Sequence, residues 1–130
     1  MIEAARQPMT HQFRRRPVLI YKICPKGLWT QAKQDGVFAG ASVDLADGYI
    51  HFSTAAQARE TAARHFAGQA DLLLVAVSTQ ALGDALRWEP SRGGALFPHL
   101  YGTFKPGDAA WVKPLPLGTD GTHDFPEDMI

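Results

Sequence analysis

The chain has 130 residues, of which 45% are hydrophobic, 20% charged and 10% aromatic, the composition of an ordinary globular domain rather than of a disordered or fibrous chain. Thirteen basic and thirteen acidic side chains cancel, so no global field draws it to nucleic acid or to an anionic membrane. The apolar run at 72–77 is far shorter than the roughly 20 residues of a membrane span, the N-terminus lacks the apolar stretch of a secretory leader, and the single Cys24 fits a reducing, cytoplasmic compartment.

Residues 1–16 hold the one concentrated basic patch, Arg14-Arg15-Arg16, but no sustained apolar period; they read as a flexible tail ahead of a domain at 17–130. The domain opens with Pro17-Val18-Leu19-Ile20-Tyr21-Lys22-Ile23, rich in β-branched and aromatic residues and therefore a strand. Alternation places Leu19, Tyr21 and Ile23 on one face and Ile20 and Lys22 on the other. Cys24 closes the apolar pattern and reads as a buried, inert thiol. Leu28, Trp29 and Ala32 then recur at helical spacing, and Gly36 supplies a stop, which predicts a helix over 26–35.

Residues 37–47 mix small and polar types, with Asp47-Gly48 as a turn before a second strand, Tyr49-Ile50-His51-Phe52. Thr54 and Gln57 have capping-box spacing. The helix they begin carries an apolar stripe of Ala55, Ala58, Ala62 and Phe66 and runs to Gly68. Residues 71–77 are, after Asp71, an unbroken apolar run, the mark of a strand covered on both faces. A loop with one helical turn occupies 78–86, a brief strand 87–89, and Pro90-Ser91-Arg92-Gly93-Gly94 reads as a mobile loop of lid-like composition. Strand composition returns over 95–104, although Pro98 confines that strand to an edge, an end or a bulge. A last strand covers 109–112, and 113–130 wraps the surface. Strands and helices mix without strict alternation, so the fold class is α+β.

Two constellations carry chemistry. His51-Phe52-Ser53 ends a strand just ahead of a helix start, where amide groups and the helix dipole favour an anion. Phe97-Pro98-His99-Leu100-Tyr101-Gly102 sets a histidine and a tyrosine on one face of an irregular strand. His51 and His99 are the expected proton-transfer pair, with Glu89, at a strand end before Pro90, as a third catalytic candidate. Ser53 and the Thr54 helix start are placed to receive an anion such as a phosphate group. No metal is expected, because no helical H-E-x-x-H pair fixes ligands. His65 reads as a helix-end cation, and His11 and His123 as tail residues. The three tryptophans are expected in the core. No P-loop, dinucleotide fingerprint, nucleophile elbow or cysteine-rich zinc pattern is present.

From Ile20-Tyr21-Lys22-Ile23, through Asp47-Gly48-Tyr49-Ile50-His51-Phe52-Ser53-Thr54 and Gln57, to Phe97-Pro98-His99-Leu100-Tyr101-Gly102 and the late Pro116-Leu117-Gly118-x-Asp120-Gly121 segment, the chain resembles a bacterial domain of unknown function, number 952. The resemblance covers nearly everything after the tail. It implies an ADP-ribosyltransferase-like fold, a split mixed sheet with two or three helices and a cleft that binds NAD. The superfamily's first-strand histidine falls on Tyr21 or Lys22, its tyrosine on His51 and its glutamate near His99, so none of the three is kept. A nucleotide-binding cleft lined by Tyr21, Lys22, Ser53, Thr54, Gln57 and Tyr101 is therefore a stronger expectation than ADP-ribosyl transfer. The alternatives are a two-histidine phosphoesterase, since His51-x-Ser53 matches an H-x-S/T element without a second copy, and a non-catalytic nucleotide-binding module.

Overall fold

Alternation along the first strand, β1 (Leu19–Pro25), organises the molecule. Ile20 and Cys24 enter one core, while Leu19, Tyr21 and Ile23 enter a second on the opposite face. The computed structural model describes residues 18–129; the expected tail at 1–16, with Arg14, Arg15, Arg16 and His11, lies outside them. After β1 come α1 (Lys26–Asp35), α2 (Ser42–Asp47), β2 (Ile50–His51), α3 (Ala55–His65), β3 (Leu72–Ser78), α4 (Thr79–Leu82), β4 (Leu86–Pro90), β5 (Leu96–Leu100) and β6 (Ala109–Leu115).

The strands make two three-stranded sheets, ordered β1-β3-β6 and β2-β5-β4. Every ladder between these strands is antiparallel, which corrects the expectation of a mixed sheet; the α+β class stands. The described helices α1 to α4 exceed the two or three expected. The addition of consequence is α2, in a segment expected to be irregular. Its six residues show no apolar stripe, and its buried residue is a carboxylate, Asp44.

The apolar run over β3 is explained by its central position, with β1 and β6 on either side. Val75 and Val77 join Ile20, Trp29, Phe38, Ile50, Phe52, Leu100 and Phe104 in the core shared by α1 and the second sheet. Leu72, Leu74 and Ala76 join Tyr21, Ala62 and Leu115 beneath α3, where Phe125 and Met129 of the C-terminal segment also pack. That segment crosses the surface, and His123 Nε2 reaches the Gln69 carbonyl at 2.8 Å. Of the tryptophans, Trp29 is in the core, Trp111 packs at its margin and Trp88 is exposed, contrary to the expectation for it.

Local signals explain several boundaries. α1 stops at Gly36, whose φ of 77° is a left-handed conformation that costs glycine little. α3 starts with the expected reciprocal cap: Gln57 N–H donates to Thr54 Oγ1 at 3.2 Å, and Thr54 N–H donates to Gln57 Oε1 at 3.0 Å. It ends at His65, before Gly68. Residues 91–95 form the turn of the β4–β5 hairpin, in which Ser91 N–H donates to the Ala95 carbonyl.

Pro98 overturns the edge expectation, because β5 is the middle strand of its sheet. The ring is accommodated because β2 is only two residues long. Phe52 N–H donates to the Pro98 carbonyl at 3.0 Å, so the missing donor falls where the ladder to β2 gives out. A backbone bridge between Tyr21 of β1 and Ser53, just past β2, joins the two sheets through bonds of 2.8 and 2.9 Å.

Candidate functional site

The β2–β5 register sets His51 directly opposite His99, and residues paired in this way project to the same face of a sheet. Their ring centroids are 5.5 Å apart, nearly edge-on at 68°. Tyr49, two residues before His51, stacks on His99 at 4.2 Å and lies 4.7 Å from His51. Tyr101, two residues after His99, continues the aromatic surface at 5.1 Å from Tyr49.

Each imidazole is held by a carboxylate at Nδ1. Asp44 Oδ1 lies 2.6 Å from His51 Nδ1 and also accepts from the His51 backbone N–H at 3.0 Å. The carboxylate is buried, and Lys22 Nζ reaches its two oxygens at 3.1 and 2.9 Å. The Ala41 N–H at the start of α2 donates to Oδ2 at 2.8 Å. Burial by itself raises the Asp44 pKa, but the His51 hydrogen bond, the Lys22 charge and the Ala41 amide outweigh it and hold the group at about 2. Room for the carboxylate depends on Gly40, where φ is 108° and an added Cβ would come within 2.6 Å of Asp44 Cβ. On the other side of the ring, Asp47 Oδ2 lies 3.0 Å from His51 Nε2. Both nitrogens can donate at once only when the ring is an imidazolium.

The second imidazole has a different neighbourhood. Glu89 Oε1 lies 2.7 Å from His99 Nδ1, and the Tyr101 hydroxyl donates to Oε1 at 2.8 Å and to Oε2 at 3.1 Å. Hydrogen bonds from His99 and Tyr101 lower the Glu89 pKa, and donation to that carboxylate raises the Tyr101 phenol. The Arg87 guanidinium stands 5.4 Å above the Tyr101 ring. His99 is buried, and among the described residues no hydrogen-bond partner stands at its Nε2. An imidazole with Nδ1–H fixed on a carboxylate presents Nε2 for proton transfer, as the histidine of a Ser-His-Asp triad does.

The structure thus gathers His51, His99, Glu89 and Tyr101 in one cluster, and brings Lys22 in by way of Asp44. Other expected contacts point elsewhere. Tyr21 is buried beneath α3, 5.7 Å from Trp111. The Ser53 hydroxyl is buried and paired with Thr61 at 2.9 Å. Thr54 and Gln57 satisfy one another, and the Gln57 amide donates to the Leu96 carbonyl at 2.7 Å. The α3 start therefore spends two of its four free N–H groups, those of Thr54 and Gln57, on its own cap.

Asp44, Asp47 and Tyr49 are members of the cluster that the sequence reading passed over. One signal was available: a lysine on the apolar face of β1 needs an anion nearby, and the short polar segment before His51 supplies Asp44. No group of three or more histidine, cysteine, aspartate or glutamate side chains among the described residues is arranged to hold a metal ion. A groove lined by Val37, Leu82, Phe104 and Lys105 touches none of the histidine cluster. No helix among the described residues is long and apolar enough to cross a membrane.

The model of one family, described as "Protein of unknown function (DUF952)", matches residues 23–112. The chain belongs to that family. Within the DUF952 match lie all the members of the histidine cluster except Lys22, which precedes it by one residue. The crystal structure of CC0527 from Caulobacter crescentus is 50% identical, with 82% of this chain and 93% of that chain covered and a TM-score of 0.79. The solution NMR structure of the same protein gives 51% identity, 80% and 90% coverage and a TM-score of 0.73. No curated protein matches the chain. None of these names carries an activity.

Proposed function

We propose that this DUF952 protein is an enzyme that takes an NAD- or ADP-ribose-like nucleotide at the His51–His99 face and works on it by acid–base chemistry. The observation that carries the reading is the pair of imidazoles in cross-strand register, each with Nδ1 on a carboxylate. Such a pair can deliver one proton and accept another. Tyr49 and Tyr101 offer flat rings on which a base can stack.

Charge favours a nucleotide reaction that builds up positive character. Lys22 and Asp44 cancel, which leaves Asp47 and Glu89 against Arg87 when the imidazoles are neutral. An excess of carboxylate suits an oxocarbenium-like transition state better than it suits a phosphate dianion. Glu89, brought into the cluster by the β4–β5 pairing, offers the carboxylate that transferase chemistry requires. The reading sets an ADP-ribosyltransferase-like cleft between the two small sheets, beside the bridge that joins them.

The test is a thermal-shift panel of NAD, ADP-ribose, nicotinamide and cyclic phosphodiesters, with product analysis on each hit. A ligand at 100 times its Kd adds about 2.7 kcal/mol to apparent stability. Alanine at His51 or His99 is expected to lower turnover about 10²- to 10⁴-fold while the domain stays folded. Silence across the nucleotides, or turnover unchanged in both variants, overturns the reading. Cleavage of a cyclic phosphodiester without NAD would replace it with the phosphoesterase reading, which the paired imidazoles favour but the inward-turned Ser53 hydroxyl does not. A shift without product would leave a binding module.

A further inference from the structure

Lys22 is the buried charge that the proposed reaction does not use. Its side chain is buried, and its ammonium contacts both oxygens of Asp44. Burying two ions costs desolvation that their attraction repays only when the geometry is good, and an apolar pair of similar volume would often serve stability equally well. The Asp44 carboxylate also grips both the His51 ring and the His51 backbone. Through His51 the buried ion pair reaches a titratable side chain that is partly open to solvent.

We propose that Lys22 is a positioning residue that sets how readily His51 gives up its proton, acting through Asp44. Without the lysine, a buried aspartate beside an imidazole would find its counter-charge in that imidazole and lock it as imidazolium. With the lysine, Asp44 is already neutralised. It can accept the Nδ1–H, fix the ring's orientation and still let the proton at Nε2 leave. The remaining groups around the ring are Asp47 on α2, Tyr49 ahead of β2 and His99 on β5. Beyond His99 stand Glu89 and Arg87 of β4 and Tyr101. This role takes its meaning from the acid–base reading, but it can be measured without a substrate.

The experiment is a nitrogen-15 NMR titration of the imidazoles in the intact protein, comparing wild type with Lys22→Met and with the double variant Lys22→Met/Asp44→Asn. In Lys22→Met the His51 midpoint is expected to move up. In the double variant, which leaves no lone charge inside, it is expected to move below wild type while His99 keeps its midpoint in both. A lysine with a merely structural role would not move His51 in opposite directions. If Lys22→Met does not fold, Lys22→Gln, which keeps a hydrogen-bond donor to Asp44 and removes the charge, takes its place with the same upward shift expected. An unmoved His51 midpoint in either folded variant, or His99 moving equally, overturns the proposal. Absence of turnover in the ligand panel would end the acid–base reading and leave these shifts intact.

Discussion

His51 and His99 each place Nδ1 on a carboxylate at nearly the same distance, 2.6 and 2.7 Å, yet burial is exchanged between the partners. In the first pair the aspartate side chain is 1% exposed and the imidazole 32%. In the second the imidazole is 6% exposed and the glutamate 34%. The difference teaches how each charge is managed. Water can screen Glu89, so no second ion is needed behind it; Asp44 is buried and is given Lys22 instead. One imidazole rests on a rigid internal anion, and the other is itself internal and rests on an anion at the rim.

Breaking the buried anion should give the largest effect. Asp44→Ala leaves Lys22 unpaired inside and is expected to lose about 3–5 kcal/mol in urea unfolding, whereas Lys22→Met/Asp44→Ala should recover much of that loss. Equal losses in the two variants would show that the packing of α2, not the stranded charge, was measured. Acid separates the pairs next. An aspartate held at about 2 against an ordinary 3.8 contributes stability that is present above that ordinary value. The contribution drains away as pH falls through 3.8 towards 2. Glu89, also lowered, has the same sign. Stability followed from pH 5 to pH 2 should therefore drop, and the drop should be flatter in Asp44→Asn than in Glu89→Gln.

The imidazoles should differ in the opposite sense. His99→Ala removes a buried ring and should cost about 1–3 kcal/mol, more than His51→Ala, by thermal unfolding of the two variants side by side. The smallest effect is expected from Glu89→Gln. Its amide can still accept from His99 Nδ1, so the unfolding midpoint should fall least of the series while the NMR titration of His99 moves down and that of His51 does not. A shift in both would mean that the cluster titrates as one unit.

Much of the scaffold was legible because its signals are local. Gly36 and the apolar positions 28, 29 and 32 fix α1, and Thr54 with Gln57 fixes the start of α3. Strand alternation was enough to put His51 on one face with Tyr49 and His99 with Tyr101. What stayed hidden depends on pairing between distant segments. That His51 and His99 face one another follows from a two-residue strand, and that Glu89 reaches His99 follows from a hairpin register. α2 escaped because Val43 and Leu45 are exposed and its buried residue is Asp44, the reverse of the apolar pattern by which helices are recognised. Tyr21 was assigned to a ligand because an aromatic ring on a strand looks the same whether it lines a cleft or a core. Cys24 went the other way: burial pushes its thiol up to about 11, in keeping with the inert reading.

The bridge between Tyr21 and Ser53 has a reach beyond its two amide bonds. Lys22 follows one partner and His51 precedes the other by two positions, so this seam holds the ammonium of one sheet level with the imidazole of the next. A slip of one residue there would turn the lysine to the α3 side and send an apolar neighbour towards Asp44. Side-chain swaps in β1 are thus gentler changes than a single-residue insertion or deletion between Leu19 and Tyr21, which would separate the two halves of the site while leaving every one of its residues in the sequence.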